Sequence, residues 1–161
     1  MVSATFTGYI IRYFESTLQS VVALAAFIPM LMDTGGNAGS QACTLVIRSL
    51  VLGEISFNDI FKVLWKEIRI SLLVGVVLSL LNFVRIYFIE GYPLNISFTV
   101  SITLIFAVII AKMIGGTLPI IAKKLKLDPA IMAGPIITTI VDALTLIIYF
   151  YFATHILSIS A

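Results

Sequence analysis

The chain is short of the residues with which a soluble domain meets water. Only 8 acids and 10 Lys/Arg occur among 161 residues, 11% charged in all. That is too few to clothe a folded surface, and the formal net charge of +2 is too small and scattered to suggest a nucleic-acid partner. There is one cysteine, Cys43, so no internal disulfide can form; it also lacks any ligand spacing, so no thiolate metal site is available. Ordinary burial is its expected fate. Histidine is equally scarce: His155 stands alone near the end of the chain and reads as an interfacial residue. No signal-peptide pattern opens the sequence. Neither a nucleophile–base set nor a phosphate-cradling glycine loop is present, which argues against an enzyme.

Apolar sequence is what the chain has in abundance. Hydrophobic residues make up 60% and the mean hydropathy is +1.14, which places it in the membrane class, with the lipid bilayer as its solvent. A helix needs roughly 20 apolar residues to cross a hydrocarbon core of about 30 Å. Three runs suffice: Ile68 to Ile89, Ile96 to Ala122 and Ala130 to Leu157. A fourth, Leu18 to Met32, is shorter and flows into a polar motif, which predicts a helix that unwinds within the membrane. A fifth, Val2 to Tyr13, would be only about 18 Å long at 1.5 Å per residue, about half a span. The fold expected is therefore all-α: a polytopic membrane helix bundle of five helices, the first truncated, in a single domain over residues 1–161.

Alternating the loops between the two sides puts Arg48, Lys62, Lys66, Arg69, Lys123, Lys124 and Lys126 on one side and only Arg12 and Arg85 on the other. The basic side should be cytoplasmic, which predicts a multi-pass protein of the cell membrane with its C-terminus outside and Trp65 at the inner interface. Between Arg48 and Glu67, the stretch NDIFKVLWKEI reads as a surface-lying helical segment capped by Asn58 or Asp59.

Polar residues inside spans are costly unless paired or facing water, so each is a functional hypothesis. Asp142 falls near the middle of the last span, with Thr138, Thr145 and Tyr149 on its helical face, as if one wall of that helix lined a water-filled path. The alternative is a carboxylate paired with Lys112 for packing alone. Ser71, Gly75, Ser79 and Asn82 form a small polar stripe that reads as a helix-packing face. Pro135, taken as lying inside the last helix, would free the carbonyl of Ile131. The motif PMLMDTGGNAGSQ concentrates the remaining signals. Pro29 would free the carbonyl of Ala25, three glycines permit unusual backbone, and Asn37 and Gln41 offer amide oxygens; Asp33 reads as a cation attractor or a turn cap. Hard oxygen donors of this kind suit Mg²⁺ or Ca²⁺.

Four stretches, PMLMDTGGNAGSQACTLVIRSL, WKEIRISLLVGVVL, GGTLPIIAKKLKLDPA and AGPIITTIVDALTLIIYF, resemble in order and approximate spacing the transmembrane domain of the MgtE family of Mg²⁺ channels. The resemblance covers nearly the whole chain. It implies a homodimer of five-helix protomers with the ion path at the subunit interface and a central metal site at Asp142. It further implies that Asn37 lies near that site and that backbone oxygens around Thr138 help hold a hydrated ion. Some members carry asparagine where this chain has Gly134. Members usually also carry a cytoplasmic helical domain and paired CBS domains, to which nothing in these residues corresponds. The function expected is a pore domain conducting hydrated Mg²⁺ inward, Mg²⁺ being both the transported ion and the bound ligand. The alternatives are a cation-coupled secondary divalent-metal transporter and a non-conducting packing or anchoring module.

Overall fold

The computed structural model describes residues 2–132 and 134–158, and among these there are helices and turns but no strand. The chain opens with α1 (Val2–Tyr13) and α2 (Glu15–Ser20), the short first segment being broken at Phe14 and again at Val21. Four longer helices follow: α3 (Ala23–Val51), α4 (Ile60–Val84), α5 (Leu94–Lys124) and α6 (Pro135–Ile156). With its flanking turns α4 runs from Phe57 to Ile89, and this helix, α5 and α6 are each long and apolar enough to cross a membrane. At 29 residues α3 is about 43 Å long. Its central polar run keeps it outside that apolar class.

The bundle is built around α5, which packs against α3, α4 and α6. More than half of its apolar window is buried (56%), against 22% for α4, which leans chiefly on α5 alone. The contact stripe of α4 is Val63, Glu67, Ser71, Gly75, Ser79 and Asn82, so the small polar face read from the sequence is its packing face, extended by two further members. Ser79 Oγ donates across to the Ser101 carbonyl at 2.7 Å. The segment read as helical from Asn58 onward is helical, and it runs on into α4. Asp59 stands at the N-cap position of α4, as expected, and Ser56 caps the turn before it, its backbone N–H and hydroxyl both donating to Asp59 Oδ2, at 3.0 and 2.9 Å.

Three apolar tiers are stacked along the bundle. At one end Leu24, Phe27, Leu31, Ile86, Tyr149 and Phe150 pack together; at the other, Val46, Leu50, Val63 and Ile120. The middle tier is thin, consisting of Cys43, Ala111, Ile137 and Val141. Cys43 is fully buried there, as expected of a lone packing cysteine. The thinness follows from a backbone crossing. A Cβ placed on Gly115 of α5 would overlap the carbonyl oxygen of Gly39 of α3, and one on Gly39 would lie 3.1 Å from the Ala111 carbonyl oxygen. Only two glycines allow this approach.

That crossing corrects the expected unwinding of the second span. PMLMDTGGNAGSQ is helical throughout. Its glycines are there for close packing, and its hydroxyls are satisfied by their own helix: Thr34 Oγ1 donates to the Met30 carbonyl at 2.8 Å and Thr44 Oγ1 to that of Ser40 at 2.9 Å. A polar run can then stay helical at membrane depth, because no backbone group is left unpaired beyond the one Pro29 removes. The last span is corrected as well. Pro135 occupies the first turn of α6, where its missing N–H costs nothing, so it does not free the Ile131 carbonyl from within a helix. Gly134 precedes it with φ +78, a conformation that favours glycine.

Candidate ion-binding groove

Two helices bring the polar residues together. On α3, Asp33, Gly36 and Asn37 occupy one face at i, i+3 and i+4; on α6, Thr138 and Asp142 do the same at i and i+4. The faces meet because Gly36 has no side chain: a Cβ there would touch Thr138 Cγ2 at 3.4 Å and approach Asp142 Oδ1 at 3.9 Å. Between them lies an open groove of about 180 Å³ lined by Met32, Asp33, Gly36, Asn37, Thr138 and Asp142. Asp33 and Asn37 are exposed along it, and Thr138 and Asp142 half-buried.

The donors and acceptors are unevenly matched. Asn37 Nδ2 donates to Asp33 Oδ2 at 3.2 Å, which orients the amide with its oxygen free of any protein donor among the described residues. Thr138 Oγ1 turns back on the carbonyls of Gly134 and Pro135, both at 3.3 Å. No ion pair or hydrogen bond from a described residue holds the Asp142 carboxylate. Two carboxylates and an amide oxygen thus share a half-open groove lined by no protein cation, a donor set with the chemistry to hold a hard cation through oxygen.

Lys112 does not neutralise this charge. Its Nζ lies 3.6 Å from Oε2 of Glu67, and both residues are buried, at 6% and 3% exposure. The pair stands on the far side of the middle tier, where α4 meets α5. Glu67 is the residue that sequence reading missed, having been assigned to a connecting segment; its i−4 spacing from Ser71 was the available signal. The predicted Asp142 stripe also divides. Thr145 is buried, against the position where Gly35 lacks a Cβ. Tyr149 is buried too, and its hydroxyl donates to the Leu24 carbonyl at 2.9 Å. Only the Thr138–Asp142 half faces the groove. Ala25 is not among the lining residues; it precedes Asn37 by 12 positions, about 18 Å along the helix. Gln41 faces a separate opening with Asn37, Ser40 and Thr44.

A sequence profile of the MgtE divalent cation transporter family matches residues 28–152, a stretch that holds both walls of the groove. The chain belongs to the MgtE family. It is 43% identical over 148 residues to the magnesium transporter MgtE of Bacillus subtilis (strain 168), covering 92% of this chain and 33% of that protein. It is 38% identical over 143 residues to the protein of the same name from Thermus thermophilus, covering 89% of this chain and 31% of the relative. The chain therefore spans about a third of the length of these MgtE relatives. Membership of MgtE and three apolar helices of spanning length make it a multi-pass membrane protein.

Proposed function

We propose that this chain forms the Mg²⁺-conducting part of its protein, with Asp142 as the principal ion-binding residue. The observation that carries the reading is the groove itself: two carboxylates and an oriented amide at the α3–α6 face, with the neighbouring lysine committed elsewhere. Mg²⁺ gives up its waters reluctantly and demands octahedral order. Asp142, Asn37 and the backbone oxygens around Thr138 would hold the hydrated ion through its water shell, so passage would not require full dehydration. The groove is open on one side, and a second copy of the chain facing it would close a path along a dimer axis. The Ala25 carbonyl, left without its helical donor by Pro29, belongs farther along such a path rather than to the central site.

The uneven distribution of Lys and Arg supports a cytoplasmic location for the Lys123–Lys126 turn and an outside C-terminus. Mg²⁺ would then enter down its electrochemical gradient through a channel. The test is Mg²⁺ uptake into proteoliposomes of the purified protein. Asp142→Ala should lower the flux more than tenfold, while Lys112→Met with Glu67→Gln leaves conduction intact. Uptake unchanged by Asp142→Ala would overturn the assignment. Uptake that requires a gradient of a second ion would replace the channel with a coupled transporter.

A further inference from the structure

We infer that α4 carries a binding site for an anionic phospholipid, its phosphate held by Lys66 and Arg69 and its acyl chain laid along Ile70 and Leu73. These four residues line one shallow groove of about 320 Å³ on the outer surface of the bundle. They recur at i, i+3, i+4 and i+7, so two cations stand directly above two apolar side chains on one helical face. The switch from charged to apolar falls between Arg69 and Ile70, which is where a headgroup gives way to hydrocarbon.

Three observations single out a charged lipid. First, the face is uncovered within the protomer, since α4 packs chiefly on α5 through its opposite stripe, and Leu73 is 70% exposed. Second, both cations lack an ion-pair partner among the described residues. Asp59 holds Lys62 at 2.9 Å and Glu67 holds Lys112 at 3.6 Å, while Glu54 lines the adjoining cavity with Lys66 but forms no ion pair with it. Two unpaired positive charges at a membrane boundary are complementary to an anionic headgroup. Third, Trp65 flanks the site: the residue is 61% exposed, and its ring centroid lies 5.8 Å from the Arg69 guanidinium carbon. That contact orients the guanidinium, and an indole at this level is itself a headgroup-region anchor. The inference needs only that the chain is embedded in a bilayer and is independent of the ion assignment.

Trp65 is the chain's one tryptophan and so reports on this site alone. The experiment measures its fluorescence in phosphatidylcholine vesicles containing a graded fraction of chain-brominated phosphatidylglycerol, with brominated phosphatidylcholine as reference. Brominated phosphatidylglycerol should quench at a much lower fraction than the reference. Lys66→Gln or Arg69→Gln should each raise the half-quenching fraction about fivefold, and the double variant roughly twenty-five-fold, at about 1 kcal/mol per basic residue near an anionic surface. Lys126→Gln, an exposed cation in the α5–α6 turn, should change nothing. Equal quenching by the two lipids would reduce the groove to ordinary lipid contact and overturn the site. Absence of quenching by either lipid would mean that protein, such as a second copy, covers the face, and would overturn it too. Relief of phosphatidylglycerol quenching by millimolar inorganic phosphate would assign the cations to free phosphate instead.

Discussion

The bundle holds two polar sites, one on each side of the thin middle tier. Behind it, Glu67 and Lys112 neutralise one another in a closed space between α4 and α5, with Glu67 Oε2 accepting no hydrogen bond in addition to the ion pair. In front, Asp33, Asn37 and Asp142 face an opening with no protein cation. The sites contain similar groups and differ in what balances them. A carboxylate whose counter-charge is built into the protein is structural; under the proposed function, one whose counter-charge is missing is left for a mobile ion. What separates the two sites is partnership.

The sharpest way to break this contrast is to remove one member of the closed pair. Glu67→Gln strands a buried ammonium and should cost roughly 3–5 kcal/mol of stability, measured by unfolding in mixed micelles. Combining it with Lys112→Met should restore most of the loss. A Glu67→Gln protein as stable as the wild type would show that the pair is not what holds α4 to α5. Next comes the wall between the sites. Gly115→Ala forces a methyl into the Gly39 carbonyl and should destabilise by about 1–3 kcal/mol while separating α3 from α5. Its flux should fall through altered position of Asn37, and a variant unchanged in both stability and flux would show that the crossing is looser than described.

On the open side, Asp142→Asn should leave stability within about 0.5 kcal/mol, as for a residue outside any buried network. Mg²⁺ flux should nevertheless drop at least tenfold. The smallest effect is expected at Asp33→Asn, which keeps an oxygen beside Asn37 but removes one charge. Flux should decline a few-fold, and more at low ionic strength, where the screening length is longer. A large stability loss from either aspartate change would place the open site in the same class as the closed one.

How much of this was legible in the sequence depends on which interaction decided each element. The α4 packing stripe was plain because small and polar residues repeat at helical spacing, and Ser79 bonds across as such a residue should. Stopping the stripe at Ser71 lost Glu67, since a charge was taken as the end of a span although its spacing continued the face. The polar motif of α3 was misread for a related reason. Glycines beside an acid and an amide look like an unwound stretch when local propensity is all that is visible, and the presence of α5 at backbone distance explains why they remain helical. Asn37 and Asp142 were nominated separately, by their polarity in apolar surroundings. Their adjacency is a tertiary fact, since 105 positions separate them in the chain, and it rests on the missing side chain of Gly36.

The contact between Gly39 and Gly115 has one more consequence, and it is entropic. Long side chains that interdigitate between helices must surrender rotamers, at up to about 1.5–2 kcal/mol for the longest of them, before their contacts bring any gain. Glycine has none to surrender. The two backbones meet without that loss, and their separation is set by hard atoms rather than by adjustable side chains. Asn37 lies two residues from this contact, so the amide assigned to the ion under the proposed function inherits its position from a joint that has no alternative rotamer to adopt.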